Sequence, residues 1–471
     1  MRSLLRRLLA IYAGKTAAFL SRQLRLGGGT NFPGTLARRI APMVLQQLAA
    51  ALPGGVVLVS GTNGKTTTTR MIASLLRDAG LQVLHNRAGA NLITGLTATA
   101  LADARFNGYP RATLGLFETD EAAFPQALSE TQPRLVLIHN LFRDQLDRYG
   151  EVDTVANGWR RALAQLPADA LVLLNADDPA VADLGANLTA QVRYYGLQDA
   201  RHASNASAHI ADTQFCRRCG TRYDYALPFY AHIGHYCCPN CGHQRPEPDV
   251  RLERLDLDGT VGSRLYVNYP GGALEILLPL PGLYNALNAL AALSVGLALE
   301  VAPAQIRATL ETFSAAFGRI ERVPAGPDGP PLLITLIKNP VGASETVRML
   351  VGNVQDAPVA PLDVLISIND HLADGTDVSW LWDADFEALA GCVRHAMVSG
   401  TRAEDMAVRL KYAGVPSALI STEPAIEPAL DAALARLPVG ATLYLLPTYT
   451  AMLELRELLA KRGWVKPFWE D

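Results

Sequence analysis

Gly61-Thr62-Asn63-Gly64-Lys65-Thr66-Thr67 follows the apolar run Val56–Ser60 and precedes a helix-forming stretch from about 66 to 79. A glycine-containing loop between a buried strand and a helix is the setting of a phosphate-binding loop, and it commits this part of the chain to a β-loop-α unit. Glycine lets the backbone approach phosphate closely, while successive N–H groups and the helix N-terminus hold the anion. Lys65 neutralises the β/γ-phosphates and Thr66 can ligate Mg²⁺. The usual spacing wants glycine at position 59, where Val59 stands; the early glycine is displaced to Gly61.

Short apolar runs recur at 82–84, 113–117, 135–138, 171–174 and 192–195, separated by helix-length segments such as 154–166. This alternation predicts a largely parallel sheet covered by helices. From about 203 to 250 the text turns to Cys, His, Tyr and Pro, an insertion into that domain. Strand-like runs return at 264–268 and 274–278, before an Ala/Leu-rich helix from about 285 to 299. A Pro/Gly cluster at 324–331 reads as a linker. Beyond it, runs at 332–337, 363–368, 395–398, 418–421 and 442–446 predict a second, smaller α/β domain of Rossmann-like type. The expected division is a short basic arm over 1–51, a central ATP-binding domain over 52–322 with its insertion at about 205–250, and a C-terminal domain over 332–471.

A chain of 471 residues has room for roughly three domains. Hydrophobic residues at 49% and charged residues at 18% exclude disorder. Lys plus Arg is 42 against 45 Asp plus Glu, so no global charge argues for nucleic acid. The charge is nevertheless uneven: the first acidic residue is Asp78, and eight Arg or Lys residues from Arg2 to Arg39 precede it. No apolar stretch reaches the roughly 18 to 20 residues of a spanning helix. The chain reads as cytoplasmic. The arm reads either as a helix packed on its own protein or as a surface helix drawn to anionic lipid.

Five of six cysteines lie between Cys216 and Cys241. Cys216-x2-Cys219, eighteen residues, then Cys238-x2-Cys241 is the spacing of a zinc ribbon, in which four thiolates close one structural Zn²⁺ and leave no open position. Cys237 is the spare thiol, able to compete with Cys238. Cys392 reads as buried filler.

Other segments join the loop in a resemblance to the Mur ligase superfamily, whose compact G-T-x-G-K-T loop also follows an apolar strand. Phe117-Glu118-Thr119-Asp120 matches a stretch where these ligases carry an acidic residue on Mg²⁺. The stretch from Asn140 to Gly150 resembles N-x-x-x-D-H-L-D-x-H-G, Asn175-Ala176-Asp177-Asp178-Pro179 matches N-x-D-D-P, and Gly282 to Asn288 matches G-x-H-N-x-x-N. Phe317-Gly318-Arg319-Ile320-Glu321 resembles the G-R-x-E that ends their central domain. The resemblance implies the Mur ligase fold, with Lys65, Thr66, Glu118, Asn285 and Arg319 handling ATP and Mg²⁺. It also implies activation of a substrate carboxylate as an acyl phosphate that a nitrogen nucleophile converts to an amide.

Three departures narrow this expectation. The amino-acid-adding ligases use a carbamylated lysine, and no lysine occurs between Lys65 and Lys338. Gln145 stands where the family has a metal-binding histidine. About fifty residues precede the loop, too few for the domain that grips a UDP-sugar, so the expected substrate is not a soluble UDP-linked precursor.

In the C-terminal part, Lys338 and Asn339 follow one strand and 369–383, containing D-G-T-D-V-S-W-L-W, follows the next; loops at strand C-termini are placed to close on ATP. With the four-Cys insertion, these features are similar to the synthetase subunits that amidate the D-glutamate α-carboxylate of lipid II. That similarity implies a class I glutaminase partner of the GatD type in a heterodimer, with Asp374 or Asp377 assisting the partner's Cys-His pair. Such a hydrolase needs a reactive cysteine with a histidine, and no cysteine here has that context. The rival readings are an amino-acid-adding ligase of the Mur or folylpolyglutamate type, and a zinc-ribbon nucleic-acid module.

Overall fold

Strand β1 (Val56–Ser60) is buried at all five positions, which a short β-branched run achieves only at the centre of a covered sheet. In the computed structural model, which describes residues 2–23, 31–86, 90–143, 152–203, 213–314, 319–352 and 361–466, it lies between β3 (Leu114–Glu118) and β4 (Leu135–Ile138), parallel to both. Its alternate side chains enter two cores. Val57 and Val59 join Met71, Ile72 and Leu290 on one face, and Val56 and Leu58 join Leu45, Leu48 and Phe124 on the other.

The sheet is completed by β2 (Val83–His85) at one edge and by β5 (Leu171–Asn175), β6 (Gln191–Leu197), β9 (Val250–Asp258), β10 (Gly262–Tyr269) and β11 (Gly272–Leu278) on the other side. The order is β11-β10-β9-β6-β5-β4-β1-β3-β2. Strands from β2 to β9 run parallel, and β10 and β11 close the edge antiparallel. Between β6 and β9 the insertion forms a hairpin of β7 (Asp224–Tyr230) and β8 (Ile233–Cys237).

A second sheet of six strands has the order β12-β13-β17-β14-β15-β16. Its members are β12 (Arg319–Pro324), β13 (Pro331–Thr335), β14 (Leu362–Ser367), β15 (Val393–Ser399), β16 (Ile420–Thr422) and β17 (Leu443–Pro447). All pairs are parallel except β12 with β13. The Pro/Gly cluster read as a linker is therefore the connection of a hairpin, and Arg319 already belongs to the second sheet.

The N-terminal segment forms three helices, α1 (Arg2–Gln23), α2 (Phe32–Ile40) and α3 (Val44–Ala49), whose Ala10, Ile11, Ala37, Val44 and Leu45 belong to the second core. A Cβ on Gly34 would meet the Thr94 carbonyl oxygen at 1.8 Å. Glycine is required there because α2 lies backbone to backbone on the helix Ile93–Asp103. No helix among the described residues is long and apolar enough to cross a membrane.

Candidate active site and metal centre

The phosphate loop occupies the C-terminal end of β1, where a parallel sheet leaves a crevice between diverging connections. Gly64 caps the helix Lys65–Asp78 with φ +81°, and a Cβ there would lie 2.1 Å from Asn288 Oδ1 and 2.9 Å from His139 Cδ2. Only glycine fits. The loop is pinned from the next strand's end: Asn63 N–H donates to Asn140 Oδ1 (2.8 Å), Asn140 Nδ2 donates back to Asn63 O (3.0 Å), and Phe142 N–H donates to Thr62 Oγ1 (3.0 Å).

Lys65, buried at the first turn of its helix, donates from Nζ to Thr62 O at 3.2 Å and pairs with Glu121 at 3.0 Å. Thr66 Oγ1 donates to Glu118 Oε1 at 3.0 Å, which brings together the hydroxyl and carboxylate expected on Mg²⁺. Buried Asn86 brackets Glu118, accepting from its N–H (2.9 Å) and donating to its carbonyl (2.8 Å). Two oxygen donors beside a loop lysine suit a hard divalent cation shared with phosphate oxygens. Thr67 is buried behind the loop.

Asn285 is buried near the loop but acts through neighbours. Its Nδ2 donates to Pro281 O (2.8 Å) and its Oδ1 accepts from Asn288, whose own Oδ1 accepts from Thr68 Oγ1 (3.3 Å). From the C-terminal domain, Asn339 Nδ2 donates to Asn63 Oδ1 at 2.9 Å while its Oδ1 caps the helix Pro340–Val351 at Gly342 N. Lys338 is half-buried just before it. Arg319 opens β12. The Gln145 position, in 144–151, and Phe317-Gly318, in 315–318, lie outside the described residues.

The N-x-D-D-P stretch proves architectural. Asp178 caps the short helix Pro179–Ala182 and accepts from Leu141 N–H (2.8 Å), and Asp177 accepts from Leu197 N–H (2.8 Å) and Arg245 Nε (2.7 Å), tying the insertion to the loop side of the sheet.

Sequence reasoning missed Glu121, Asn86, Asn140 and His139. Asn140 opens the N-x-x-x-D-H-L-D-like stretch; the others carry no spacing signal. His139 is fully enclosed, its Nδ1 2.7 Å from the Tyr195 hydroxyl, and burial pushes its pKa down to about 4. An unfolded histidine titrates near its ordinary 6.5, so the unfolded chain binds this proton first. The stabilising preference for neutral His139 is complete above about pH 6.5 and disappears progressively as pH falls toward 4. Urea unfolding should show a smaller loss of midpoint for His139→Gln than for wild type between about pH 7 and about pH 4.5. Equal losses would refute the assignment.

The sulfurs of Cys216, Cys219, Cys238 and Cys241 all lie within 4.8 Å of one another, Cys216 to Cys241 at 3.5 Å and Cys219 to Cys238 at 3.4 Å. That is the separation expected around a tetrahedral thiolate-bound metal. Cys237 stays outside, its thiol directed at the Cys238 carbonyl, so the spare is identified. Tyr223 bridges to His243 at 2.7 Å behind the cluster.

Asp374 and Asp377 separate clearly. Asp374 is buried and receives Thr450 N–H at 2.7 Å and the Thr450 hydroxyl, fixing the start of the helix Tyr449–Lys461. Asp377 is exposed, and the hydrogen bond it accepts from Ser379 N–H (2.8 Å) holds its pKa below the usual carboxylate value.

A parallel sheet ending in this cradle, followed by a smaller α/β domain reaching back to it, defines a Mur ligase-type nucleotide-binding protein. Residues 59–236 match the Mur ligase middle domain and residues 336–452 the MurT ligase C-terminal domain. The chain belongs to the MurT family. It is 34% identical over 97% of its length to the lipid II isoglutaminyl synthase (glutamine-hydrolyzing) subunit MurT of Streptococcus pneumoniae, covering 98% of that protein. The Staphylococcus aureus N315 subunit is 34% identical over 87% of this chain and 89% of its own. A pseudomurein peptide ligase type C from Methanothermus fervidus shares the fold, with TM-score 0.66, 19% identity, and 87% and 79% of the two chains covered.

Proposed function

We propose that this chain is the ATP-dependent synthetase subunit that amidates lipid II, converting the D-glutamate α-carboxylate of the stem peptide to D-isoglutamine. The full-length likeness to MurT, on a chain that keeps the Lys65, Thr66 and Glu118 cradle, carries this reading. Lys65 and the loop N–H groups hold the β/γ-phosphates in line with the substrate carboxylate. Thr66 and Glu118 would hold a Mg²⁺ ion, which when bound would supply further charge neutralisation there. The carboxylate oxygen attacks the γ-phosphorus, the bond to the β-phosphate oxygen breaks, and ADP leaves. Ammonia then attacks the acyl carbon, loses a proton, and expels phosphate to leave the amide. In this reading Arg319, Lys338 and Asn339 complete the nucleotide pocket, Asn285 supports it through Asn288 and Thr68, and the four-Cys centre is a structural zinc site.

Ammonia comes from a separate class I glutaminase of the GatD type in a heterodimer. Of the two aspartates offered by the sequence, exposed Asp377 is the one available to a partner, since Asp374 is committed to its helix. Asp377→Ala should lower glutamine-dependent amidation by about 10²- to 10⁴-fold and leave ammonium-driven amidation unchanged; equal loss with both nitrogen sources would defeat the role.

The lipid anchor of the substrate sets the reaction at the cytoplasmic membrane face. Mass spectrometry of lipid II incubated with the chain, ATP, Mg²⁺ and ammonium tests the whole reading. Exchange of one hydroxyl for an amino group supports it, and a residue-sized mass gain in the presence of amino acids overturns it.

A further inference from the structure

Helix α1 carries apolar residues on two opposite faces, with Arg and Lys side chains set between them. Its inner face, with Ala10, Ile11, Gly14 and Ala17, is buried on the second core, where a Cβ on Gly14 would meet Leu101 Cδ1 at 2.8 Å. The opposite face is exposed among the described residues. Leu5 is 61% exposed, Leu9 53%, Tyr12 48%, Phe19 58% and Leu20 49%, at spacings of four, three, seven and one that keep them on one stripe.

The neighbouring loop extends the stripe. Phe106, 59% exposed, stacks on Tyr12 with ring centroids 5.2 Å apart, and exposed Tyr109 follows three residues later. Cations border these rings: the Arg7 guanidinium sits 5.5 Å from the Tyr109 centroid and Lys15 Nζ 5.8 Å from that of Phe106. Arg6 is exposed, and no acidic residue precedes Asp78 in the sequence. Asp103, whose carboxylate is held by the Arg111 and Ala112 N–H groups, is the acidic group beside Lys15.

We propose that α1 and the Phe106–Tyr109 loop form a docking surface for an anionic lipid bilayer. The helix lies in the interfacial plane with its leucine and aromatic stripe among the acyl chains and its arginines among the phosphates. About 22 residues of helix lying flat present a strip of roughly 33 Å. A second copy of this chain is a poor occupant, because its own arginines would meet these across the contact. The lipid-linked substrate of the preceding section gives the surface a use, but its geometry stands without that reading.

Flotation of the full chain with vesicles of phosphatidylglycerol in phosphatidylcholine, and of phosphatidylcholine alone, tests this. Wild type should float with the anionic vesicles and be released by salt. Leu5→Glu/Leu9→Glu and, separately, Phe19→Glu should lower partitioning by at least about tenfold, and Arg6→Ala by about fivefold on anionic vesicles only. The substituted side chains are solvent-exposed, and an unchanged thermal midpoint checks the fold. Absence of wild-type binding, equal binding by the glutamate variants, or a concentration-dependent dimer that these variants abolish would each overturn the proposal. Ammonium-driven amidation of a water-soluble stem peptide, equal in wild type and variants, keeps this outcome separate from that of the amidation reading.

Discussion

Lys65→Met should reduce ADP release and amidation with ammonium by about 10³-fold or more, while leaving the native fold in place. The side chain is buried against the loop it serves, between the Thr62 carbonyl and Glu121, so its ammonium is positioned before any phosphate arrives. Preorganised charge of this kind acts most strongly where negative charge accumulates during phosphoryl transfer. Removing it leaves Glu121 buried without its cation, which by itself costs stability. Lys65→Met/Glu121→Gln separates the two effects: it should recover the thermal midpoint lost in the single variant and recover none of the turnover. Recovery of turnover in the double variant would show that Lys65 serves only to neutralise Glu121.

The second large effect concerns the four-Cys centre. The purified chain should hold one zinc, and Cys216→Ser or Cys238→Ser should hold almost none, whereas Cys237→Ser keeps it. Zinc in small ribbons contributes folding free energy on the order of 10 kcal/mol, and the insertion's other anchor is its β7–β8 hairpin, which plants Phe229, Tyr230 and Ile233 in the first core. The insertion's own small cluster has Cys216, Tyr223, Tyr236 and Cys238 as its main buried apolar members, with Ala182 supplied by the sheet domain. Chelation should therefore expose the knuckle segments at 213–223 and 238–245 to proteolysis well before the sheets unfold, while the hairpin between them stays packed. Metal content is read by elemental analysis and the cleavage site by mass spectrometry. Cleavage at equal rates with and without chelator would remove zinc from the account of this segment.

Much of this was legible in the sequence where one residue type has one physical use. The Gly64-Lys65-Thr66 turn, the paired Cys-x2-Cys knuckles and the alternation of buried runs with helices each admit few structures. Glu121, Asn86 and His139 were not legible, because their roles come from the diverging ends of neighbouring strands and no sequence period encodes that convergence. The hairpin at 324–331 was misread because Pro and Gly mark a tight turn and a linker alike; pairing of β12 with β13 decides it. Asp374 and Asp377 were indistinguishable as letters, and burial against Thr450 separated them.

The hydrogen bond from Asn339 to Asn63 joins the N-cap of a helix in one domain to the loop proposed to hold triphosphate in the other. A contact shared in this way makes the two events reciprocal: whatever factor domain docking adds to nucleotide affinity, bound nucleotide returns to docking. Enzyme saturated with ATP would then spend more of its time with the Asp377 loop held in one orientation. In the proposed reaction, a nitrogen-supplying partner would then meet a surface whose readiness reports that the carboxylate can be activated.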